Sequence, residues 1–412
     1  MRPTPSQPSN AYPKSLLIAV VVAILLLSIN MRSPIIGFGA VATWIQQDLQ
    51  LSTQVIGLIG TIPVMAFAFS SFIVPTVARK IGLENTLVMA STMLALGIFG
   101  RSWLPNLSLL LFGTVLLSLA IAFGNVLVPA VIKKYLPNHI SQVMGMYSLM
   151  LSVFAGLSAG VANRLVAWRD WQFALSVWGW VSVLALMGWL WVSHQHTRQK
   201  LAINDSELRN QAIAMSEPSS TRSVWRMPMA WWISGYMGLQ SLLYYTLASF
   251  LPSLLHAKGL SDSQVGQVGM VFQLMAFPSI MLLTKWVGAG WHLRTLGVSA
   301  GVGNLLGVIG FGLLPANGLI WLWAVCAGFG CGVIFTLCMM MFTLKAKNSQ
   351  QTAELSGMAQ TVGYSIAVTG PLLTGWLRDI SYGWTLPMTV LTGLMGLLCV
   401  FAWFATADKP IE

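Results

Sequence analysis

Charged side chains are scarce in this sequence. Of its 412 residues only 8% are Asp, Glu, Lys or Arg, and just 11 are acidic. A soluble domain carries roughly 25% charged residues, so this chain has too few to cover a water-facing surface. The sequence also lacks a Walker phosphate loop, a dinucleotide fingerprint and a nucleophile elbow. ATP-driven transport and membrane-embedded hydrolysis therefore lose their support, and we expect neither enzyme activity nor a cofactor.

Cysteine and histidine are also few. The 4 cysteines fall within apolar runs and the 5 histidines lie at loops or helix ends, so we expect no disulfide framework and no metal site. Proton-driven transporters usually carry Asp, Glu or His inside their helix bundle. No such residue is predicted at mid-membrane depth here. If the chain is a transporter, three ways of driving it stay open. Transport could be coupled to protons through the substrate's own protonation or through a carboxylate at a span end such as Glu84 or Glu354, or it could be uncoupled uniport.

Long apolar runs take the place of charge. Hydrophobic residues make up 56% of the chain, and its mean hydropathy is +0.73. The runs approach the ~20 residues that span a bilayer as a helix, and they do not alternate as barrel strands do. The sequence predicts an all-α integral membrane protein with twelve transmembrane helices. These are expected at residues 15–40, 53–75, 84–102, 107–130, 141–165, 172–192, 229–255, 262–284, 294–313, 318–343, 353–377 and 384–404.

The net charge of +11 follows the membrane topology. If the N-terminus is cytoplasmic, 16 Lys and Arg residues fall in inner loops and 5 in outer loops, and Arg101 is one of the outer set. This asymmetry is the positive-inside rule and places both termini in the cytoplasm. We expect a multi-pass protein of a cell inner membrane whose partners are the lipid bilayer and a small solute. The basic residues do not predict nucleic-acid binding.

The two halves of the chain repeat each other. Three short matches recur in the same order at nearly the same spacing: residues 51–57 with 260–266, 123–126 with 329–333, and 144–146 with 356–358. A polar segment separates six spans from six. Two parallel six-helix bundles joined by a long loop are typical of the major facilitator superfamily, with substrate bound near the midplane. The expected division is a tail at 1–14, bundles at 15–192 and 229–404, a cytoplasmic linker at 193–228 and a tail at 405–412.

Arg32 is the strongest candidate for a functional residue. It lies inside the first span, where an unpaired Arg costs about 2.5–3.5 kcal/mol on insertion scales. The structural alternative is an ion pair with a buried carboxylate or a side chain that reaches the interface. Every acidic residue, however, falls in a loop or at a span end. We therefore predict that Arg32 faces a central cavity and binds an anionic or strongly polar substrate, because guanidinium suits planar anions.

Other polar side chains lie at inner positions of the predicted spans. Gln and Tyr four residues apart share a helix face and occur in spans seven and eleven. Such groups also hydrogen-bond neighbouring helices in membrane proteins, so both roles stay open. The predicted substrate-binding set, besides Arg32, is Asn30, Asn125, Gln240, Tyr244, Gln273, Gln360 and Tyr364.

Two segments are candidates for conformational change. The loop after span two resembles the loop found there in major facilitators, Gly-x3-Asp-Arg-x-Gly-Arg-Arg, but it carries Arg79 at the Asp position and loses the second basic pair. Glu84 is the expected substitute for the missing acidic charge. A Pro removes a helix hydrogen bond, so Gly370-Pro371 is a candidate hinge. The predicted gating set is Arg79, Lys80, Gly82, Glu84, Gly370 and Pro371.

Within that superfamily the chain resembles the cyanate and 2-nitroimidazole transporter family. The resemblance lies in this loop and in residues 30–34 (Asn-Met-Arg-Ser-Pro), 125–129, 238–245 and 355–364, spread over most of the chain. It implies a monomeric secondary carrier of small anions or small planar heterocycles that works by alternating access. Two rival interpretations are a multidrug-type exporter of neutral aromatic compounds and, less favoured, a membrane sensor or scaffold. The sequence does not name the solute, the direction or the coupling ion.

Overall fold

Fifteen α-helices make up most of the protein in a computed structural model that describes residues 12–202, 223–315, 318–408 and 411. Much of the expected linker, 203–222, and parts of both tails, 1–11, 409–410 and 412, lie outside the described residues. The helices are α1 Lys14–Ile29, α2 Ser33–Asp48, α3 Thr53–Ser70, α4 Val74–Ile81, α5 Leu83–Ser102, α6 Leu107–Tyr135, α7 Ile140–Trp168, α8 Trp171–Ala202, α9 Pro228–Ala257, α10 Asp262–Leu274, α11 Ala276–Gly288, α12 Leu293–Gly312, α13 Ile320–Lys345, α14 Ser349–Ser381 and α15 Thr385–Ala405.

Over the described ranges these helices form twelve segments, because α1–α2, α3–α4 and α10–α11 are each one span with a break. Each segment coincides with one predicted span, and the predicted all-α fold is confirmed. Several span ends were predicted too short, two of them by eight residues or more. The first span continues through the polar residues Gln46 and Gln47 to Asp48, and α8 continues to Ala202. Residues 46–48 and 193–200 are polar and are not detected by hydropathy alone, whereas residues 41–45 are mostly apolar.

Apolarity varies among the twelve segments. Within the described residues, nine helices are long and apolar enough to cross a membrane, or ten if the pair bent by 59° at α3–α4 counts as one span. The two segments that fall short are α9 and α14. These are the helices that carry the two Gln/Tyr pairs. Their extra polarity is tolerated only where they face protein or a watery cavity rather than lipid.

The internal repeat is visible in how two equivalent helices begin. Ser52 caps α3 by accepting a hydrogen bond from the Val55 amide at 3.3 Å. Ser261 caps α10 in the same way, and the side-chain oxygen of Gln264 accepts a hydrogen bond from the Ser261 backbone amide to complete a capping box. A Ser before the first turn satisfies amides that have no partner in the helix. The matched sequences therefore start matched helices, both of which break farther along.

The two halves meet at one end of the bundle. This basic end is the end where Lys134 and Lys345 complete α6 and α13. Helix α14 packs there on α3, α4 and α6, and α11 packs on α7. A Cβ on Gly357 of α14 would lie 2.8 Å from the Ser71 carbonyl oxygen. One on Gly145 of α7 would lie 2.9 Å from Cγ2 of Thr284 on α11. Glycine at these two positions therefore allows α14 to approach α3 and α4 closely, and α7 to approach α11 closely.

At the far end, near the loops at 49–52 and 258–261, the halves stand apart. Glycines on α3, α7 and α10 face open space, since a Cβ on any of them would meet nothing within 4 Å. Gly156 lies three helical turns beyond Gly145 and so shares its face of α7. The described helices are thus joined at the basic end and separated at the far end. The glycines concerned are Gly57, Gly60, Gly156, Gly160, Gly266 and Gly269.

Substitutions at Gly145 and Gly156 should shift the protein in opposite directions. Gly145→Leu overpacks the closed basic end at a cost of about 1–3 kcal/mol. That cost moves the populations of two conformers about 5- to 150-fold. Gly156→Leu, on the same face of the same helix, should instead oppose closure of the far end. The measurement is the alkylation rate of a single cysteine placed at Ser241, from each side of oriented vesicles, in a background without native cysteines. If the alkylation rates changed in the same direction in both variants, the assignment of a closed basic end and an open far end would be wrong.

Candidate substrate site

A break in the first span carries the strongest candidate. Helix α1 ends at Ile29 and α2 begins at Ser33, so Arg32 lies in the short non-helical segment between them. Pro34 fits the first turn of α2, where its missing amide would have no helical partner. Backbone groups inside a membrane need partners when they leave the helical pattern. The neighbours of this break therefore decide where Arg32 points.

Side chains from two other helices hold the break. Ser158 of α7 donates from its hydroxyl to the Ser33 carbonyl at 2.8 Å. Arg101 of α5 donates from its guanidinium to the Pro34 carbonyl, also at 2.8 Å. The sequence placed Arg101 in an outer loop, and that expectation is wrong. Arg101 is only 1% exposed, because this residue in the last turn of α5 points into the bundle.

Asn30 anchors the same break from the other direction. With its amide oriented to pair with α8, its nitrogen donates to the Trp178 carbonyl at 3.0 Å and its oxygen accepts from the Ser182 amide at 3.1 Å. Asn30 was predicted to bind substrate. The structure buries it completely and engages it with α8 instead. Three helices of the first half thus fix the segment that presents Arg32.

Arg32 reaches a cavity between the two halves. The cavity has a volume of about 70 Å³. Since one water needs about 10–15 Å³ on this measure, the cavity admits a small solute of a few heavy atoms to one ring. Both halves contribute to its wall. The lining residues are Met31, Arg32, Ile35, Ile36, Phe67, Asn125, Leu151, Gln240, Ser241, Tyr244, Tyr245, Phe335 and Tyr364.

The charge of Arg32 meets aromatic rings. Its guanidinium carbon lies 4.6 Å from the ring centroid of Phe335 and 5.7 Å from that of Tyr244. Both distances are within the range of cation–π attraction. No carboxylate among the described residues lies within 4 Å of this guanidinium, and none lines the cavity. The described part of the site therefore carries one fixed positive charge.

Neutral polar groups complete the wall. Asn125 of α6 accepts a 2.7 Å hydrogen bond at Oδ1 from the hydroxyl of Tyr147 on α7. Gln240 of α9 donates to the Cys331 carbonyl at 3.4 Å and accepts from Ser241 at 3.3 Å. These bonds hold the two amides in place from both halves. The cavity thus offers a charge, two amides and several phenols to a polar solute.

Of the eight predicted site residues, the structure brings five to the cavity and places three elsewhere. Arg32, Asn125, Gln240, Tyr244 and Tyr364 line it. Asn30, as described above, holds the helix break. Gln273 lies on an exposed face of α10. Gln360 is fully buried and donates to Ser356, one turn earlier on α14, at 2.9 Å. A spacing of four residues put Gln360 and Tyr364 on one face but did not fix how deep each lies.

Glu84 was expected to replace the acidic charge that is missing from the loop after span two, and the structure shows a different pairing. Glu84 pairs within its own half, where its carboxylate accepts from Lys134 Nζ and from the Tyr135 hydroxyl, both at 2.6 Å. The residue that faces Arg79 across the halves is Glu354 of α14, at 3.6 Å. Burial, and then the nearby charge of Glu84, raises the pKa of the Tyr12 phenol above its ordinary value. Glu84 thus belongs to a buried cluster that ties together helices of the first half.

The remaining gating candidates lie at turns and packing contacts. Gly82 has φ +88°, a left-handed conformation that favours glycine, and it joins α4 to α5. Lys80 is exposed beside it. Gly370 packs closely on Leu242 of α9 within its own half. Pro371 lies inside α14, which continues through it to Ser381.

Sequence reasoning missed several aromatic residues of the site. Phe67, Tyr245 and Phe335 line the cavity, and Tyr147 lies behind Asn125. Apolar spans contain many aromatic residues, so no spacing distinguishes these. Tyr245 is the exception, because it lies on the same helix as Gln240.

Two bundles that meet around a mid-membrane cavity define a membrane transporter of the alternating-access class. The chain belongs to the Major Facilitator Superfamily, whose family model matches residues 16–368. It is similar to the "2-nitroimidazole transporter" of Escherichia coli (strain K12), with 32% identity over 96% of this chain and 97% of the relative. It is also similar to the "Cyanate transport protein CynX" of the same organism, with 25% identity over 93% and 97%. The predicted family is confirmed.

A solved structure supports the fold. The proton:xylose symporter XylE bound to 6-bromo-6-deoxy-D-glucose superposes with a TM-score of 0.77, covering 97% of this chain and 98% of that one. Sequence identity is 13%, so the likeness concerns the fold alone. Because the family and these named relatives are transporters, the protein is a transporter and not an enzyme.

The Tyr147–Asn125 hydrogen bond yields a stability prediction. Tyr147→Phe removes the donor and leaves the buried Asn125 oxygen without that partner. We expect the free energy of unfolding to fall by about 1–3 kcal/mol, measured by denaturant titration in detergent. Tyr382→Phe is the matched control, since Tyr382 is 97% exposed, and it should change nothing. Equal stability of the two variants would show that the bond is not made.

Proposed function

We propose that this protein carries a small planar anion, or a small polar heterocycle, across the cell inner membrane. The two bundles, at 15–192 and 229–404, would rock around the central cavity and open it to each side in turn. The observation that carries the proposal is the single guanidinium of Arg32 in a cavity whose described lining holds no carboxylate. Such a charge is costly in a membrane interior and is offset when an anion binds.

The shape of the site favours flat solutes. A guanidinium presents parallel N–H donors that match a carboxylate or another planar anion. Rings of Tyr244 and Tyr364 provide faces on which a planar group can stack. Asn125 and Gln240 are positioned to orient a polar substituent. The names of two relatives agree with this chemistry, since cyanate is a small anion and 2-nitroimidazole is a flat heterocycle.

Conformational change is proposed to involve the contacts at the basic end. Opening of that end requires the Arg79–Glu354 pair and the Gly357 crossing to separate. An exposed ion pair contributes little stability, about 0–1 kcal/mol, and so does not hold the end shut by itself. Gly82 and Lys80 would move with the α4–α5 turn, and Gly370-Pro371 is retained as a hinge proposal.

Topology and assembly complete the proposal. The excess of Lys and Arg at the basic end supports a cytoplasmic location for that end and for both termini. The linker at 193–228 and both tails, at 1–14 and 405–412, would then also be cytoplasmic. The carrier would act as a monomer in the bilayer, without nucleic acid.

A second candidate function is export of neutral aromatic compounds. The observation in its favour is the number of aromatic side chains in the cavity wall: Phe67, Tyr244, Tyr245, Phe335 and Tyr364. On that hypothesis Arg32 is structural, and its charge is satisfied by the rings alone. The two functions differ in whether substrate recognition depends on Arg32.

Ligand-dependent stabilisation of the purified protein separates the two functions. We expect benzoate and cyanate, but not the neutral analogue benzamide, to stabilise the wild type. A ligand at a hundredfold excess over its Kd contributes about 2.7 kcal/mol. Arg32→Ala should abolish this response, because it removes the charge that pairs with the anion. The measurement is the thermal unfolding midpoint as a function of ligand concentration.

Arg169→Ala is the matched control for this experiment. Its side chain is 69% exposed and lies outside the cavity, so the variant should respond as the wild type does. If benzamide stabilises the wild type and Arg32→Ala equally while the anions have no effect, the anion proposal is wrong and the exporter function replaces it.

A further inference from the structure

The contact between Arg32 and its aromatic neighbours crosses the boundary between the halves. Arg32 is held by the first half, through the helix break. Phe335 belongs to α13 and Tyr244 to α9, both in the second half. The shorter of the two contacts, at 4.6 Å to the ring centroid, is made by Phe335. The face of an aromatic ring is its negative pole and therefore attracts the guanidinium.

This charge presents a physical problem during the transport cycle. When either end closes, the cavity loses water, and an unpaired guanidinium in a low-dielectric interior is strongly disfavoured. With an anion bound, the two charges offset each other. After the anion has left, the carrier must still reorient to collect the next one. Without any other partner for Arg32, the unloaded carrier would be held back, and only exchange of one anion for another would be fast.

We infer that Phe335, assisted by Tyr244, replaces the missing counter-ion of Arg32 in the unloaded carrier and lets it reorient without substrate. The protein then performs net transport of an anion as well as exchange. This inference rests on the proposed function, since it assumes that the transported anion pairs with Arg32. It assigns Phe335 a role in the return step and none in holding the substrate.

Other positions around the cavity do not share this geometry. Phe67 lines the same cavity, but its ring packs against Tyr364 at 5.1 Å between centroids. The hydroxyl of Tyr147 donates a hydrogen bond to Asn125. Among the described aromatic residues, Phe335 and Tyr244 are the pair whose rings lie under the guanidinium. Phe335 carries no hydroxyl that could also bind substrate, so its substitution isolates the ring.

The test compares two modes of flux in proteoliposomes with labelled benzoate. For exchange, both sides hold benzoate at equal concentration and only one side is labelled. For net transport, the receiving side holds none, and potassium with valinomycin clamps the membrane potential. Phe335→Leu should lower the net rate about tenfold, the factor expected from losing a desolvated cation–π contact. The exchange rate should change by less than about twofold, because the anion itself neutralises Arg32.

Two matched variants test the interpretation. Phe335→Tyr keeps an aromatic face and should keep the wild-type ratio of net rate to exchange rate. Phe67→Leu removes a ring from the same cavity without removing one from Arg32. It should leave that ratio unchanged, whatever it does to both rates together.

Each remaining outcome has a defined meaning. An unchanged ratio in Phe335→Leu overturns the inference. So does an equal change of ratio in Phe67→Leu, because the effect would then belong to the cavity as a whole. Loss of both modes in Phe335→Leu also overturns it, because the ring would then be needed by the loaded carrier. Absence of both modes in the wild type contradicts the proposed function itself.

Discussion

The structure depends on one constraint: a positive charge must be kept in the middle of a membrane protein. Arg32 can be presented there only because the first span breaks, and the break is tolerated only because Arg101, Ser158 and Asn30 engage its surroundings. The rings of Phe335 and Tyr244 then meet the charge from the other half. The two helices too polar for a simple span, α9 and α14, are among those that face this cavity.

Because of the internal repeat, the two halves that form the cavity share a common architecture, but their side chains differ in chemistry. Matched serines cap equivalent helices, and glycines at Gly145 and Gly357 allow equivalent crossings between the halves. The first half supplies the charge, one amide and the ring of Phe67, whereas the second supplies the other amide and the remaining aromatic rings. On the proposed function, a duplicated scaffold with an asymmetric site would hold a small polar solute in one orientation while the bundles move around it. Function here resides in the side chains, since the same fold hosts other substrates.

Much of the fold follows from hydropathy, because a span must bury about 20 apolar residues whatever surrounds it. Less of the site could be predicted from the sequence. Arg32 was identifiable because a charge inside an apolar run has no ordinary explanation, and Gln240 and Tyr244 followed from shared helix faces.

Gln273 and Gln360 were misplaced, since the helix face alone does not determine how deep a residue lies or how the helix is rotated. Phe335 gave no signal, because an aromatic residue in an apolar span is unremarkable until its neighbour across the interface is known. Arg101 was misassigned because it lies in the last turn of a predicted span, and hydropathy does not show whether such a residue points into the bundle or towards the loop.

The central claim is that Arg32 pairs with the transported anion. The most direct measurement is a crystal structure with 4-bromobenzoate, whose bromine is located by anomalous scattering. The account predicts one ligand in the cavity, with its carboxylate about 2.7–2.9 Å from the guanidinium nitrogens of Arg32 and its ring against aromatic side chains. A ligand bound in the cavity with its carboxylate turned away from Arg32, or bound only outside the cavity, would contradict it.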